Sequence, residues 1–388
     1  MERFSYLAFF INGLTSTIHG IALPFFLAKF SLSFSRASIL FLASSLGFLL
    51  ASFLFPFLTK RLTIKELLTI GLLFLAASSA LIPLMPLWTL VVLASFGGGL
   101  GMGVIDVGFN TVIASLEPRR SQVIMNWLHF FFGFGALSGP LLLSRLLERG
   151  VSWMVLYLST SFLILISFFS WRGLKPPSAS LHQVSSFRPS AQVYSQIRFW
   201  ALFFITLIYV TAEVGLMGWI PTLLTTLEVK PARAGLGISV LWAGITLGRA
   251  ISTQLLPKLS LKRPLSFLLI GAGISTLFLV FTQSVWLIFV VLIFIGLFFS
   301  AIFPLAILQG SSHFPTAVAQ VTSNLIVAGS LGALAGPGLL GWVGEFYSLQ
   351  TGIAILACLL FTAVFLTALL PVQEPISKSE ESDLVKGT

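Results

Sequence analysis

Charged side chains are scarce in this sequence of 388 residues, because Asp, Glu, Lys and Arg together make up only 9% of it. Soluble domains contain about 25% charged residues, so this composition excludes an ordinary water-soluble protein. Hydrophobic residues make up 57% of the chain, and they recur in long runs. Runs of roughly 18–25 residues are long enough to cross the ~30 Å hydrocarbon core of a bilayer. The sequence therefore predicts an all-α polytopic membrane protein.

Cysteine is almost absent, since Cys358 is the single one and lies in the last apolar run. One cysteine excludes a disulfide framework and a CxxC metal motif. The sequence also lacks the motifs of a nucleotide loop or a nucleophile elbow, and its "GLGMG" string lies inside an apolar run rather than between a strand and a helix. We therefore predict that the protein is not an enzyme and that it uses no cofactor and no metal.

The apolar runs predict twelve transmembrane helices, bounded by charged residues, glycine or proline. Their approximate limits are 4–28, 37–58, 66–84, 88–115, 124–146, 153–171, 199–226, 234–256, 264–282, 285–308, 317–342 and 350–371. The first run has no small-residue cleavage site, so we interpret it as a span rather than a removed signal. The Pro- and Ser-rich segment 172–198 predicts a cytoplasmic linker between six-helix bundles at 1–171 and 199–371, and the polar segment 372–388 predicts a disordered cytoplasmic tail.

Lysine and arginine are distributed unevenly between the predicted loops. If both termini are cytoplasmic, only six of the 22 Lys and Arg residues lie on the outer side, namely Lys29, Arg36, Arg145, Arg149, Lys230 and Arg233. One further residue, Arg249, lies within a span, and the rest are cytoplasmic, as the positive-inside rule requires. The net charge of +10 therefore indicates topology rather than nucleic-acid binding. We expect a multi-pass protein of the plasma (inner) membrane with both termini in the cytoplasm.

The two halves of the sequence resemble each other. The string "FGALSGPLL" at 134–142 is echoed by "LGALAGPGL" at 331–339, and an asparagine precedes each, Asn126 and Asn324. Duplicated halves are typical of transporters, which place the substrate site at the interface between the repeats. The repeat therefore predicts two pseudo-symmetric bundles with a site between them.

Only two of the twelve acidic residues, Asp106 and Glu213, lie deep within predicted spans. An ionised side chain at the bilayer centre costs about 3 kcal/mol or more, so such residues usually mark a pathway; the alternative is a structural hydrogen bond or ion pair between helices. Asp106 lies in the glycine-rich string "GGGLGMGVIDVG", and Asn110 follows at i+4 on the same helix face. Because burial disfavours the charged form of a carboxylate, Asp106 can bind and release a proton near neutral pH. Together with Asn110 it offers hydrogen bonds to the hydroxyls of a substrate.

Glu213 is the only acid within the spans of the second half, and Trp219 follows six residues later. Aligning the "FFI" string of each half places His19 opposite Glu213. These positions predict proton coupling by Asp106, Glu213 and His19, and substrate binding by Glu213 and Trp219. For His19 the alternative is a hydrogen-bonded packing role.

Five further residues are candidates on weaker grounds. Asn126 and His129 are three residues apart and share a helix face, which predicts that they line the cavity, with packing as the alternative for His129. Asn324 is the counterpart of Asn126 in the second half. Trp242 offers a ring face to a sugar, with core or lipid packing as the alternative. Arg249, about two turns from the cytoplasmic end of its span, indicates a gate or an interhelix pair rather than substrate binding.

These residues resemble the fucose permease-like branch of the major facilitator superfamily. The resemblance rests on "GMGVIDVGFNT" followed by "LEPRRSQVIMNWLHFFFGFGALSGP", and on "AEVGLMGWIPTLL" and "VLWAGITLGRA" in the second half. It implies twelve helices in two bundles that work by alternating access, and sugar-transporting members that are proton symporters for monosaccharides. It also implies that Asp106 serves substrate recognition and proton coupling, and that Asn110 contacts sugar hydroxyls.

One departure from this family concerns the first helix. The fucose permease carries an Asn-Asp pair shortly before a Leu-Pro, whereas "IHGIALP" places His19 and Gly20 there. Either Glu213 or His19 takes over part of the role of that acid, or the coupling scheme differs.

The sequence thus predicts a monomeric transporter whose partners are protons, a sugar-like small molecule and the lipid bilayer, with no nucleic acid. The leading hypothesis is proton-coupled symport of a sugar or similarly hydroxylated molecule. The alternative is a proton-driven exporter of amphipathic compounds, which the 38 phenylalanines would suit. A membrane receptor or scaffold that has lost transport is a third possibility, against which the embedded acids argue.

Overall fold

The computed structural model describes residues 2–114, 116, 118–173, 191–258 and 264–371. Within these ranges the chain is helical, with two short 3-10 helices and no β-strand. The α-helices of the first half are α1 (Glu2–Phe30), α2 (Phe34–Leu58), α3 (Ile64–Leu81), α4 (Trp88–Ala114), α5 (Pro118–Glu148) and α6 (Met154–Arg172). Those that follow are α7 (Ala191–Tyr194), α8 (Ile197–Thr226), α9 (Pro231–Ala234), α10 (Leu236–Lys258), α11 (Pro264–Phe281), α12 (Val285–Phe299), α13 (Ile302–His313), α14 (Val318–Phe346) and α15 (Leu349–Leu366). The predicted tail at 372–388 and most of the predicted linker at 172–198 lie outside the described residues.

Twelve segments of the described chain are long and apolar enough to cross a membrane, which confirms the predicted number and the all-α fold class. The first six correspond to α1, α2, α3 with the 3-10 helix Ile82–Leu84, α4, α5 and α6. The others correspond to α8, α9 with α10, α11, α12 with α13, α14, and α15 with the 3-10 helix Thr367–Leu369. The first and fifth spans extend beyond the predicted limits, to Glu2 and Phe30 and to Glu148. A count of apolar residues stops at the first charge, whereas a helix continues into the interface, where long charged side chains reach water.

The tenth span is interrupted near its middle, which the sequence reading did not predict. Helix α12 ends at Phe299 and α13 begins at Ile302, with Ser300 and Ala301 between them. Pro304 lies one turn further on. Proline has no N–H to offer to the carbonyl four residues earlier, and its ring clashes with that carbonyl. The carbonyl concerned belongs to Ser300, so Pro304 explains the position of the break.

Helix starts follow the local sequence where a capping residue is present. Thr63 caps α3: its hydroxyl accepts from the Glu66 backbone N at 3.2 Å, and the Glu66 carboxylate accepts from the Thr63 backbone N at 2.7 Å. This reciprocal capping box satisfies two backbone donors that have no partner inside the helix. The third span therefore begins at a defined residue.

The chain divides into two compact units. The first comprises Met1–Arg188, Val214–Trp242 and Ala333–Gly352, and the second comprises Pro189–Glu213, Ala243–Gly332 and Ile353–Thr388. The first unit therefore contains the first six spans together with α9 and parts of α8, α10, α14 and α15. The division into bundles at 1–171 and 199–371 stays a prediction from the sequence repeat.

Glycines bring pairs of helices into backbone contact within the first unit. A Cβ atom added at Gly99 of α4 would lie 1.9 Å from the carbonyl oxygen of Ser44 on α2. A Cβ atom at Gly13 of α1 would lie 2.0 Å from the carbonyl oxygen of Phe132 on α5. Small residues permit this close approach, which supplies packing energy where lipid removes the hydrophobic driving force. The α2–α4 and α1–α5 pairs therefore pack with no side chain between them at these points.

Candidate functional site

Helix α4 carries Asp106, and the segment just before this residue is in backbone contact with two neighbouring helices. A Cβ atom at Gly101 would lie 2.6 Å from the Gly71 carbonyl oxygen on α3, and one at Gly103 would lie 2.6 Å from the Phe48 carbonyl oxygen on α2. Asp106 follows within one turn. Its position in the first unit is therefore fixed by backbone contacts on two sides.

Asp106 and Asn110 lie together, as the i+4 spacing predicts. The Asn110 side-chain amide donates to the Asp106 carbonyl oxygen at 2.9 Å and lies close enough to hydrogen-bond the Asp106 carboxylate. Both residues are half-buried. In the part of the chain that the structure describes, the ion pairs are Arg120–Glu2 and Arg233–Glu148, so Asp106 has no ion-pair partner there. Within the described residues, the group beside the Asp106 carboxylate is therefore an amide rather than a cation.

His19 lies in the same unit, on α1, and has a partner that the sequence reading missed. Its Nδ1 lies 2.9 Å from the hydroxyl of Tyr157 on α6, and the imidazole tautomer decides which of the two donates. The His19 ring also meets the edge of Phe41 at 6.3 Å between centroids. Tyr157 is only 2% exposed. Because Tyr157 is 138 residues away along the chain, no local spacing could have revealed this contact.

Asn126 and His129 both lie on the first half of α5 and are exposed. The His129 ring packs edge-on against Phe9 of α1, with 6.0 Å between ring centroids. Their spacing of three residues predicts that they share a helix face, and the structure adds that both side chains are exposed. Their contact with a substrate stays a prediction.

The two candidate tryptophans are both packed inside the first unit. Trp219 is 2% exposed, and its indole N–H donates to the Pro337 carbonyl oxygen of α14 at 2.9 Å. Trp242 is 4% exposed and meets the Phe132 ring edge-on at 5.9 Å. In this arrangement each indole serves helix packing, and a role in substrate binding stays a prediction.

The second unit contains the other embedded acid in a polar cluster of three residues. The Tyr209 hydroxyl lies within hydrogen-bonding reach of the Glu213 carboxylate, one turn along α8. Arg249 of α10 lies close enough to interact electrostatically with both. Tyr209 is 3% exposed, and its ring packs edge-on against Phe299 at 5.4 Å. Unlike the partner of His19, Tyr209 has a sequence signal, since residues at i−4 share a helix face.

Helix α10 is held at this cluster by close contact with α12. A Cβ atom at Gly244 would lie 2.4 Å from the Ile293 carbonyl oxygen, and one at Gly248 would lie 2.7 Å from the Leu297 carbonyl oxygen. Arg249 follows Gly248 directly. The arginine is therefore placed by the same glycine contacts that bring α10 to the broken tenth span.

Asn324 lies elsewhere in the second unit. Its amide donates to the Gln320 carbonyl oxygen at 2.8 Å and to the Tyr194 hydroxyl of α7 at 3.4 Å. Helix α7 belongs to the end of the predicted linker, so the structure joins Asn324 to that segment. Its predicted contact with a substrate is not tested by these bonds.

The described residues contain no group of three His, Cys, Asp or Glu side chains that could hold a metal ion. The candidate residues offer a ligand the hydrogen-bond acceptors of carboxylates and the donors and acceptors of an amide and of phenolic hydroxyls. Carboxylates within spans that bind and release protons are the usual components of proton pathways in transporters.

Comparison with known proteins identifies relatives along the whole chain. The sequence model described as Major Facilitator Superfamily matches residues 5–326 and 258–386. An uncharacterized MFS-type transporter of Yersinia pestis is 24% identical over 92% of this chain and 92% of its own length. The glucose/mannose transporter GlcP of Bacillus subtilis is 23% identical over 87% of this chain and 86% of its own length. Among solved structures, a D-xylose-proton symporter superposes with a TM-score of 0.74 at 15% identity, covering 96% of this chain and 97% of its own.

Proposed function

The chain belongs to the Major Facilitator Superfamily, and from that premise we propose that it is a proton-coupled symporter for a sugar or a similarly hydroxylated small molecule. It is an integral multi-pass membrane protein of a family of transporters, and sugar transporters are among its relatives. The proposal adds the coupling ion, the direction and the alternating-access mechanism. A monomer in the plasma membrane is part of the same proposal.

One observation carries the proposal: within the described residues, Asp106 has a hydrogen-bonding amide beside it and no ion-pair partner. An unpaired carboxylate at membrane depth needs a proton or a ligand to neutralise it. In the proposed cycle, a proton on Asp106 permits substrate to bind beside Asn110, and loss of the proton to the cytoplasm releases substrate. Coupling follows if the proton changes the relative stability of the outward-open and inward-open states.

Four further residues have proposed supporting roles. Glu213, with Tyr209 and Arg249 around it, and His19, with Tyr157 beside it, are the candidates for the acid that the first helix lacks. We propose that one of them completes proton transfer. The exposed Asn126 and His129 of α5 contact the solute.

The test is uptake into proteoliposomes of radiolabelled glucose, mannose, xylose and fucose, with and without an inward proton gradient. Asp106→Asn is expected to abolish accumulation above the external concentration while sugar exchange between the two sides continues, because the amide keeps hydrogen bonding but cannot carry the proton. Glu228→Gln, at an exposed acid in a loop, is the matched control and should accumulate sugar like the parent. Accumulation by Asp106→Asn at the parent level would contradict the coupling role.

One observation favours a second candidate, a proton-driven exporter of amphipathic compounds. A shallow groove of about 300 Å³ that is open to its surroundings lies on the surface of α1 and α5, lined by Arg3, Tyr6, Leu7, Phe10, Phe131 and Phe134. A groove lined by aromatic rings and one arginine suits an amphipathic molecule better than a monosaccharide. Cells that express the protein would then resist hydrophobic drugs, whereas a sugar symporter leaves drug sensitivity unchanged and increases uptake of labelled sugar.

A further inference from the structure

The first turn of α2 has a hydrogen-bond partner that comes from the far end of the sequence. A helix begins with four backbone N–H groups that have no partner inside the helix. The Glu345 carboxylate of α14 accepts from the Phe34 backbone N at 2.7 Å, and the Ser35 backbone N lies 3.5 Å from the same oxygen. Ser33 completes the cap by accepting from the Arg36 backbone N at 3.5 Å. An acid 311 residues away therefore caps the second span, and both groups belong to the first unit.

The backbones around this cap are in close contact. A Cβ atom at Gly341, one turn before Glu345, would lie 2.5 Å from the Cβ of Ser38 and 2.9 Å from the Phe34 carbonyl oxygen. The Phe34 ring also packs edge-on against Trp219 of α8 at 5.2 Å. The end of α14 therefore packs directly on the start of α2, and no space remains between them for a side chain at Gly341.

A second acid joins segments at the same end of this unit. Successive spans run in alternating directions, so every odd-numbered span ends, and every even-numbered span begins, at the end opposite the amino terminus. The start of α2, the end of α5 and α9, which opens the eighth span, therefore lie at that end. There Glu148 of α5 accepts from Arg233 of α9 at 2.6 Å. This pair is solvated, with Arg233 68% and Glu148 32% exposed, and exposed ion pairs contribute little. The Glu345 contact is exposed as well, but it differs in kind, because this carboxylate accepts from an N–H group that has no partner inside the helix and interacts favourably with the helix dipole.

We propose that Glu345 is a latch: by capping α2 it holds the end of the protein opposite the amino terminus closed, and its release accompanies opening at that end. This inference rests on the proposed alternating-access function. A change that opens this end must separate α14 from α2, and it then leaves the first N–H groups of α2 to water. Glu345 is a gating residue in this proposal and does not contact the solute.

The experiment measures how fast a cysteine buried under the latch reacts with a water-soluble maleimide. The purified full chain in detergent carries Cys358→Ser, which removes the natural thiol, and Ser38→Cys, at a position 7% exposed beneath α14. Adding Glu345→Ala is expected to raise the labelling rate about fivefold, the effect of losing a typical N-cap. Adding Glu148→Ala instead is the matched control, and it should change the rate by no more than about twofold.

A cysteine at a second position distinguishes separation of α14 from α2 from a general loosening of the first unit. Ala76→Cys reports on the core of the first unit, where Ala76 is 3% exposed, and its labelling should stay slow in every variant. A faster rate at Ser38→Cys alone supports the latch. The proposal is overturned if Glu345→Ala leaves that rate within twofold of the parent, if Glu148→Ala raises it equally, or if Ala76→Cys is labelled faster as well. The measurement needs no substrate, so its outcome does not depend on whether the protein transports a sugar.

Discussion

The hydroxyl of Tyr157 lies 2.9 Å from Nδ1 of His19 and joins α6 to α1. Glu213 has a matching neighbour in the hydroxyl of Tyr209 on its own helix. Two titratable groups in the spans are thus each oriented by a tyrosine that is almost fully buried. A hydrogen bond to one ring nitrogen of a histidine determines which tautomer it adopts, and therefore which nitrogen is available to exchange a proton.

We expect Tyr157→Phe to slow proton-driven uptake about fivefold, because a hydrogen bond of this kind contributes roughly 1 kcal/mol to the orientation of His19. Sugar exchange without a gradient should change by less than twofold, since the ring that fills the space is retained. Tyr6→Phe is the control, because Tyr6 stacks on Phe131 at 5.3 Å through its ring. Equal loss of driven uptake and of exchange would assign Tyr157 a packing role only.

The Glu213–Arg249 interaction predicts non-additive effects on stability. Arg249→Gln leaves the Glu213 carboxylate without its cation and should lower the free energy of unfolding by about 1 kcal/mol, a value reduced by the exposure of Arg249. Adding Glu213→Gln should restore most of that loss, because no buried charge is then left uncompensated. Thermal unfolding of the purified variants in detergent measures both. A double variant that is less stable than Arg249→Gln would contradict the pairing.

The close contact of α2 and α4 predicts a large difference between two neighbouring glycines. Gly99→Ala should destabilise the protein by about 2 kcal/mol, because its Cβ would lie 1.9 Å from the Ser44 carbonyl oxygen and force the helices apart. Gly97→Ala should be neutral or stabilising by up to about 1 kcal/mol, since the nearest atom, on Phe74, is 3.7 Å away and alanine favours a helix. Melting temperatures of the two variants compare them directly. Equal effects would mean that the contact at Ser44 relaxes without loss.

Substitution of Asn110 is expected to change the apparent affinity for the sugar rather than the coupling of transport to protons. Asn110→Ala removes the amide beside Asp106 and should raise the half-saturating concentration of the transported sugar about tenfold, the effect of one lost hydrogen bond to a charged or polar partner. The accumulation ratio at saturating sugar should be retained, because the proton carrier is unchanged. Kinetics of uptake over a range of sugar concentrations distinguish the two. Loss of accumulation with unchanged half-saturation would reverse the roles of Asn110 and Asp106.

The sequence predicted those features that depend on one helix at a time. The fourth span was expected to begin at residue 88, and it begins at Trp88, because a turn with Pro86 precedes it. Asp106 and Asn110 meet as their spacing predicts. Pro304 carried a signal for the broken tenth span that a count of apolar residues ignores.

Contacts between distant helices could not be predicted from one sequence. His19 and Tyr157 are 138 residues apart, and Phe34 and Glu345 are 311 apart. In the sequence, Glu345 is one of the ten acidic residues that do not lie deep within a predicted span. Only the packing of α14 on α2 shows that its carboxylate meets a helix N-terminus.

The glycine contacts have a mechanical consequence. Where two backbones touch without side chains between them, no soft layer remains that could absorb sliding or tilting. Each of the pairs α1–α5 and α2–α4 is therefore expected to move as one rigid body, so that a displacement of one helix also displaces the other. Amide hydrogen exchange should detect these four helices as cooperative pairs that open together, even where their surroundings move.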